Sequence, residues 1–194
     1  MSSDRKKERR LAAFHEAGHV VMALSCGLRF KRVFVDLNHT QFVGFVEGAD
    51  DRRAGSYTHA LVDAAGPVAD MLALRGRRAD LGEIATAINL KHSHSSPFYY
   101  DLLYAKQNAR AAGIVNDLTG LRTQQRQFRK FLLDVAEVVR TLWPLINRLA
   151  RALLANGSLT YSECKEVLFP RRSRGVRIVR TSPARRELIL QLAA

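Results

Sequence analysis

The chain has 194 residues, 47% of them hydrophobic, and 31 lysines and arginines against 18 acidic residues leave a formal charge of +13. That length suits one domain with a substantial core, and the lack of any apolar run of roughly 18 residues excludes a transmembrane helix. Cys26 and Cys164 lie far apart without a CxxC, which argues against a zinc knuckle or a disulfide framework and predicts free thiols in a reducing compartment.

The charge is gathered at the ends. Arg5, Lys6, Lys7, Arg9 and Arg10 crowd the start; Arg171, Arg172, Arg174, Arg177, Arg180, Arg185 and Arg186 crowd the finish. Residues 1–8 and 170–194 therefore read as basic tails around a domain spanning 9–169. Basic ends favour nucleic acid, an acidic partner or an anionic surface, and they serve equally well as solvated tails. The aromatic interleaving of a single-strand binder is lacking, as is any helix-turn-helix or finger pattern. No clean apolar signal core precedes the first helix, so the expected location is the cytoplasm.

Residues 9–26 read as one amphipathic helix closed by Gly27. Phe30 to Leu37 and Gln41 to Glu47 are rich in β-branched and aromatic residues, and Asn38-His39-Thr40 between them predicts a β-hairpin. Gly48 to Ser56 reads as an exposed loop. Tyr57 to Arg75 is helical, and its Gly66-Pro67 predicts a close helix contact or a kink. Leu81 to Leu90 forms another short helix, His92 to Pro97 a breaker segment, and Tyr100 to Val115 a further helix. Leu118 to Leu154 is long and periodic, with Trp143-Pro144 expected to divide it. Thr160 and Glu163 then have capping-box spacing for a short helix to Leu168. The chain beyond is basic, with an apolar pattern returning only at Leu188-Ile189-Leu190-Leu192.

The first helix carries His15-Glu16-Ala17-Gly18-His19. Histidines four apart on a helix project from one face, so both imidazoles reach one metal ion. The intervening glutamate lies beside that face and can take a proton from an activated water. Leu11, Phe14, Val20, Val21 and Leu24 make the helix a buried one, and buried polar groups are costly unless paired. A zinc ion supplies the pairing. Catalytic zinc takes three protein ligands, and the third must come from downstream: Asp80, His92, His94 or Asp101, with Asp63 and His59 behind them. Spacing alone leaves that choice open.

These residues carry a resemblance to the FtsH-type zinc peptidase domain. His15 to Leu24 resembles that family's HEAGH helix, and Thr40 to Phe45 resembles the second strand of its hairpin. Ala64-Ala65-Gly66-Pro67-Val68-Ala69-Asp70 is similar to its small-residue helix. Asp101-Leu102-Leu103-Tyr104-Ala105-Lys106-Gln107-Asn108-Ala109-Arg110 is similar to the helix bearing its aspartate ligand, and Ile146 to Leu168 resembles its closing helices. The likeness runs in order from about Arg9 to Phe169. It implies a mainly helical fold with a small β-hairpin beside the HExxH helix, zinc held by His15, His19 and Asp101, and Asp80 as the fallback ligand. Two departures stand out. The insert between Arg75 and Asp101 is longer than the family's, and no GxxxxGK[ST] phosphate loop accompanies the domain.

The resemblance implies a stand-alone zinc endopeptidase with Glu16 as general base, acting on flexible or unfolded polypeptide. Self-association and a separate unfoldase or adaptor are the implied partners. Tyr99, Tyr100 and His59 are candidate oxyanion donors, and the strand from Phe42 to Val46 is a candidate edge for an extended substrate. The alternative is a non-catalytic or latent binding module of the same fold, associated with nucleic acid or an acidic partner through its basic ends.

Overall fold

A computed structural model of the chain describes residues 3–35, 44–48, 54–90 and 99–170. The expected turn at residues 38–40, the first residues of the second strand, most of the loop at 48–56, His92, His94 and the tail at 171–194 lie outside them. The described residues form α1 (Ser3–Ser25), β1 (Arg32–Val35), β2 (Gly44–Glu47), α2 (Ser56–Arg75), α3 (Leu81–Leu90), α4 (Tyr99–Ala111), α5 (Leu121–Asn156), β3 (Ser158–Thr160) and α6 (Tyr161–Leu168). The protein is thus mainly helical with one small antiparallel sheet.

Helix α1 begins at Ser3, so the stretch read as a basic tail continues the helix. Lysine, arginine and glutamate are good helix formers and nothing there breaks the helix. From Ala13 to Ala23, α1 is buried on every side, because α2, α5 and the sheet all pack on it. Phe14 stacks on Trp143 of α5 with ring centroids 5.1 Å apart. Gly18 sets the crossing with α2: a Cβ there would stand 2.7 Å from the Ala65 carbonyl oxygen and 2.8 Å from the Ala69 Cβ. At Gly66 a Cβ would fall on the His19 ring of α1, the expected close contact, and α2 runs unbroken through Pro67.

Helix α5 also runs unbroken, through Pro144, where a division was expected. Its apolar stripe, from Phe128 through Leu132, Val135, Val139 and Ile146 to Leu153, is buried on both sides of the proline. Burial of each such side chain contributes roughly 1.5–3 kcal/mol, which outweighs one lost helical hydrogen bond. Pro144 and Arg140, whose carbonyl loses its partner, both lie on the exposed side of the helix, where an unpaired carbonyl costs least.

The sheet has the order β2-β1-β3. Antiparallel pairing aligns Val33 with Val46 and with Leu159. Strand β3 was not legible in the sequence: three residues carry no period, and their partner lies more than a hundred positions upstream. The capping box did form. Thr160 accepts from the Glu163 N–H at 3.3 Å, and Glu163 accepts from the Thr160 N–H at 2.7 Å.

Candidate metal centre

His15 and His19 stand one above the other on the buried middle of α1, 8% and 9% exposed. Asp101, in the first turn of α4, comes from 86 positions away to meet them: its Oδ2 lies 3.1 Å from His15 Nε2. His19 Nε2 lies 3.0 Å from His15 Nε2 and 3.8 Å from Asp101 Oδ1. One ligand atom from each residue falls within 4.8 Å of the others, the group of such side chains that the described residues contain. The donor set is two imidazole nitrogens and a carboxylate oxygen, which suits zinc.

Helix α2 orients both imidazoles. His19 Nδ1 donates to the Val62 carbonyl at 2.7 Å, which leaves Nε2 with its lone pair facing His15 and Asp101. His15 Nδ1 faces the buried Asp70, 3.9 Å from its Oδ2. A Cβ on Gly66 would fall on His19 Nε2, so only glycine there leaves room for the ring. Gly44 of β2 does the same for Glu16, since a Cβ there would stand 2.5 Å from Oε1. These supports escaped the sequence reading. The Ala-Gly-Pro-Val-Ala-Asp run in α2 was visible as a small-residue helix with a close contact or kink at Gly66-Pro67, without its partners on α1.

The electrostatics follow from crowding charged groups in a dry place. Burial is the largest influence pushing the Glu16 carboxyl up to about 8, opposed by His19 and reinforced by Asp101 and Asp70. Burial disfavours a charge on His15, yet the Asp101 hydrogen bond and the charges of Asp101 and Asp70 carry its pKa above the ordinary value. Burial also presses Asp101 upward, but the His15 bond and both imidazoles bring it below the usual carboxylate range. The cluster is a place that favours a cation.

The other expected candidates have different work. Asp80 accepts from the Glu83 N–H at 2.7 Å and caps α3, so the fallback ligand stands outside the cluster. Asp63 accepts from Asn108 at 2.9 Å. His59 is half-buried on α2, one turn before Asp63. Tyr100 is 67% exposed on the first turn of α4. No helix among the described residues is long and apolar enough to cross a membrane. A scan of protein-family models finds no match to this chain, and a search of curated proteins finds none either.

Proposed function

We propose that this chain is a zinc-dependent endopeptidase with an FtsH-like peptidase fold, holding the ion through His15, His19 and Asp101 and using Glu16 as general base. The observation that carries the reading is the convergence of two histidines and a distant aspartate beside a buried glutamate. The donor set fits the ion. Zn–N distances of about 2.0–2.1 Å in a tetrahedron require ligand atoms roughly 3.3 Å apart; the two Nε2 atoms stand 3.0 Å apart, and the Asp101 carboxylate lies 3.1 Å from His15 through Oδ2 and 3.8 Å from His19 through Oδ1. The His19 Nδ1 bond to Val62 is the orienting contact that metal-bound histidines ordinarily make, and a carboxylate, Asp70, stands 3.9 Å from His15 Nδ1.

When bound, zinc supplies the Lewis acidity that activates water at neutral pH and polarises a peptide carbonyl. The residues do the rest. The charge of a bound ion would draw the Glu16 carboxyl back toward its ionised form, and that carboxylate, packed against Gly44, would take the water's proton and return it to the departing amine. Strand β2 is an edge among the described residues, so an extended peptide adding to it would run past Glu16. A polypeptide recognised through its main chain must be flexible or unfolded where it binds.

The test is zinc content together with cleavage of an unfolded protein such as casein. About one zinc per chain, chelator-sensitive cleavage, and a Glu16→Gln variant that keeps the zinc but cannot cleave would support the reading. A chain that takes up no zinc when purified with zinc in excess would sink it. Zinc retained by a chain without cleavage would favour the non-catalytic binding module.

A further inference from the structure

The aspartate ligand is the one most exposed to misplacement. His15 and His19 share a single rigid helix, but Asp101 arrives on α4, which packs chiefly against α2 among the described elements. The buried side chains of α4 are Leu102, Ala105 and Ala109, only 4%, 0% and 0% exposed. On α2, Ala60 and Ala64 are buried as well, while Ala65 packs on Gly18 of α1. Alanine surfaces let backbones approach closely but offer few knobs that resist sliding. A polar pair within such a contact does resist it, because any shift leaves a donor and an acceptor unsatisfied. The clearest precedent is a single polar residue that sets register in a coiled coil.

Asn108 and Asp63 form such a pair. Asn108 lies seven residues after Asp101, two turns along the same face of α4. Its Nδ2 donates to Asp63 Oδ2 at 2.9 Å in a half-buried setting. Asp63 directly follows Val62, whose carbonyl accepts from His19. We infer that the Asn108–Asp63 hydrogen bond sets the register of α4 on α2 and thereby holds Asp101 against His15 and His19. Both are positioning residues, and the inference builds on the reading of the three-residue site as a metal centre. Helix α2 then bears on all three ligands: it bonds His19 through Val62, sets the Asp70 charge 3.9 Å from His15, and holds Asp101 through Asp63.

The test changes the pair without touching a ligand. Asn108→Asp sets two carboxylates against each other, and Asp63→Asn combined with Asn108→Asp restores a donor and an acceptor in exchanged places. Zinc affinity by chelator competition should fall about 10–100-fold in Asn108→Asp, the range for losing an outer support, and recover in the exchanged pair. The metal-free protein gives a second readout: the imidazole nitrogen resonances of His15, which report its contact with Asp101. They should shift in Asn108→Asp and return in the exchange. If Asn108→Asp does not fold, Asn108→Ala takes its place, with the same losses expected. Resonances and affinity unchanged in a folded variant, with only the melting temperature lowered, would overturn the inference. A parent chain that binds no zinc would defeat the metal reading, while the His15 resonances would still decide the register.

Discussion

Gly66→Ala tests how tightly the second helix frames the site. The added methyl group would fall on His19 Nε2 and stand 2.6 and 2.7 Å from the ring carbons Cε1 and Cδ2, well inside the roughly 3.5–4.0 Å of comfortable contact. The ring cannot turn away without breaking its 2.7 Å bond to the Val62 carbonyl. Separating the helices would open the packing of Gly18 on Ala65 and Ala69, both fully buried. Overpacking of this kind costs about 1–3 kcal/mol, and alanine in place of a helical glycine returns about 1. The net loss of stability is therefore roughly 0–2 kcal/mol. Loss of the orienting bond lowers zinc affinity about 10–100-fold, or roughly 1.4–2.8 kcal/mol of binding. Affinity should thus suffer more than folding. Chelator competition and urea unfolding on the same preparation measure the two. A folded Gly66→Ala chain that binds zinc as tightly as the parent would refute the reasoning.

Asp70→Asn keeps the shape beside His15 Nδ1 and removes the charge; zinc affinity should drop about tenfold or more with the circular-dichroism spectrum unchanged. Pro144→Ala should raise the melting temperature, because the proline sits on the exposed side of α5 and alanine is preferred by up to about 3 kcal/mol in a helix interior; a lower melting temperature would mean the proline is needed where it is. Thr160→Ala should cost about 1 kcal/mol at neutral pH through loss of the α6 cap. Hydrogen bonds from the Thr160 backbone N–H and then its hydroxyl hold the Glu163 carboxyl below the ordinary value. A depressed folded pKa adds stability above the unfolded value and loses it as pH falls through the folded one. The gap between parent and Thr160→Ala should therefore narrow in unfolding curves taken below about pH 4.

Local pattern determined a good deal. His15, Glu16 and His19 were legible because a helix repeats every 3.6 residues and brings positions four apart onto one face. Five of the six helices and the Thr160–Glu163 cap were readable for the same reason: each depends on residues within a few turns of one another. The residues gave no such purchase on Pro144, where propensity pointed to a break and burial of the α5 stripe on both sides prevailed. Nor did they on β3, whose partner is β1.

Which of Asp101 and Asp80 stands beside the histidines belonged to the tertiary structure. Both aspartates start helices, and both carboxylates are favoured there by the helix dipole. The packing of α4 on α2 turns Asp101 toward the histidines, while Asp80 remains a cap. Contacts with α1 set Gly44 against Glu16, Gly66 and Val62 against His19, and Asp70 beside His15, while Asn108 meets Asp63 across α4 and α2; of these only Gly66 had a local signal. A ligand held by its own helix can be read from spacing; the supports that aim it are contacts between elements distant in sequence, and only the assembled chain brings those together.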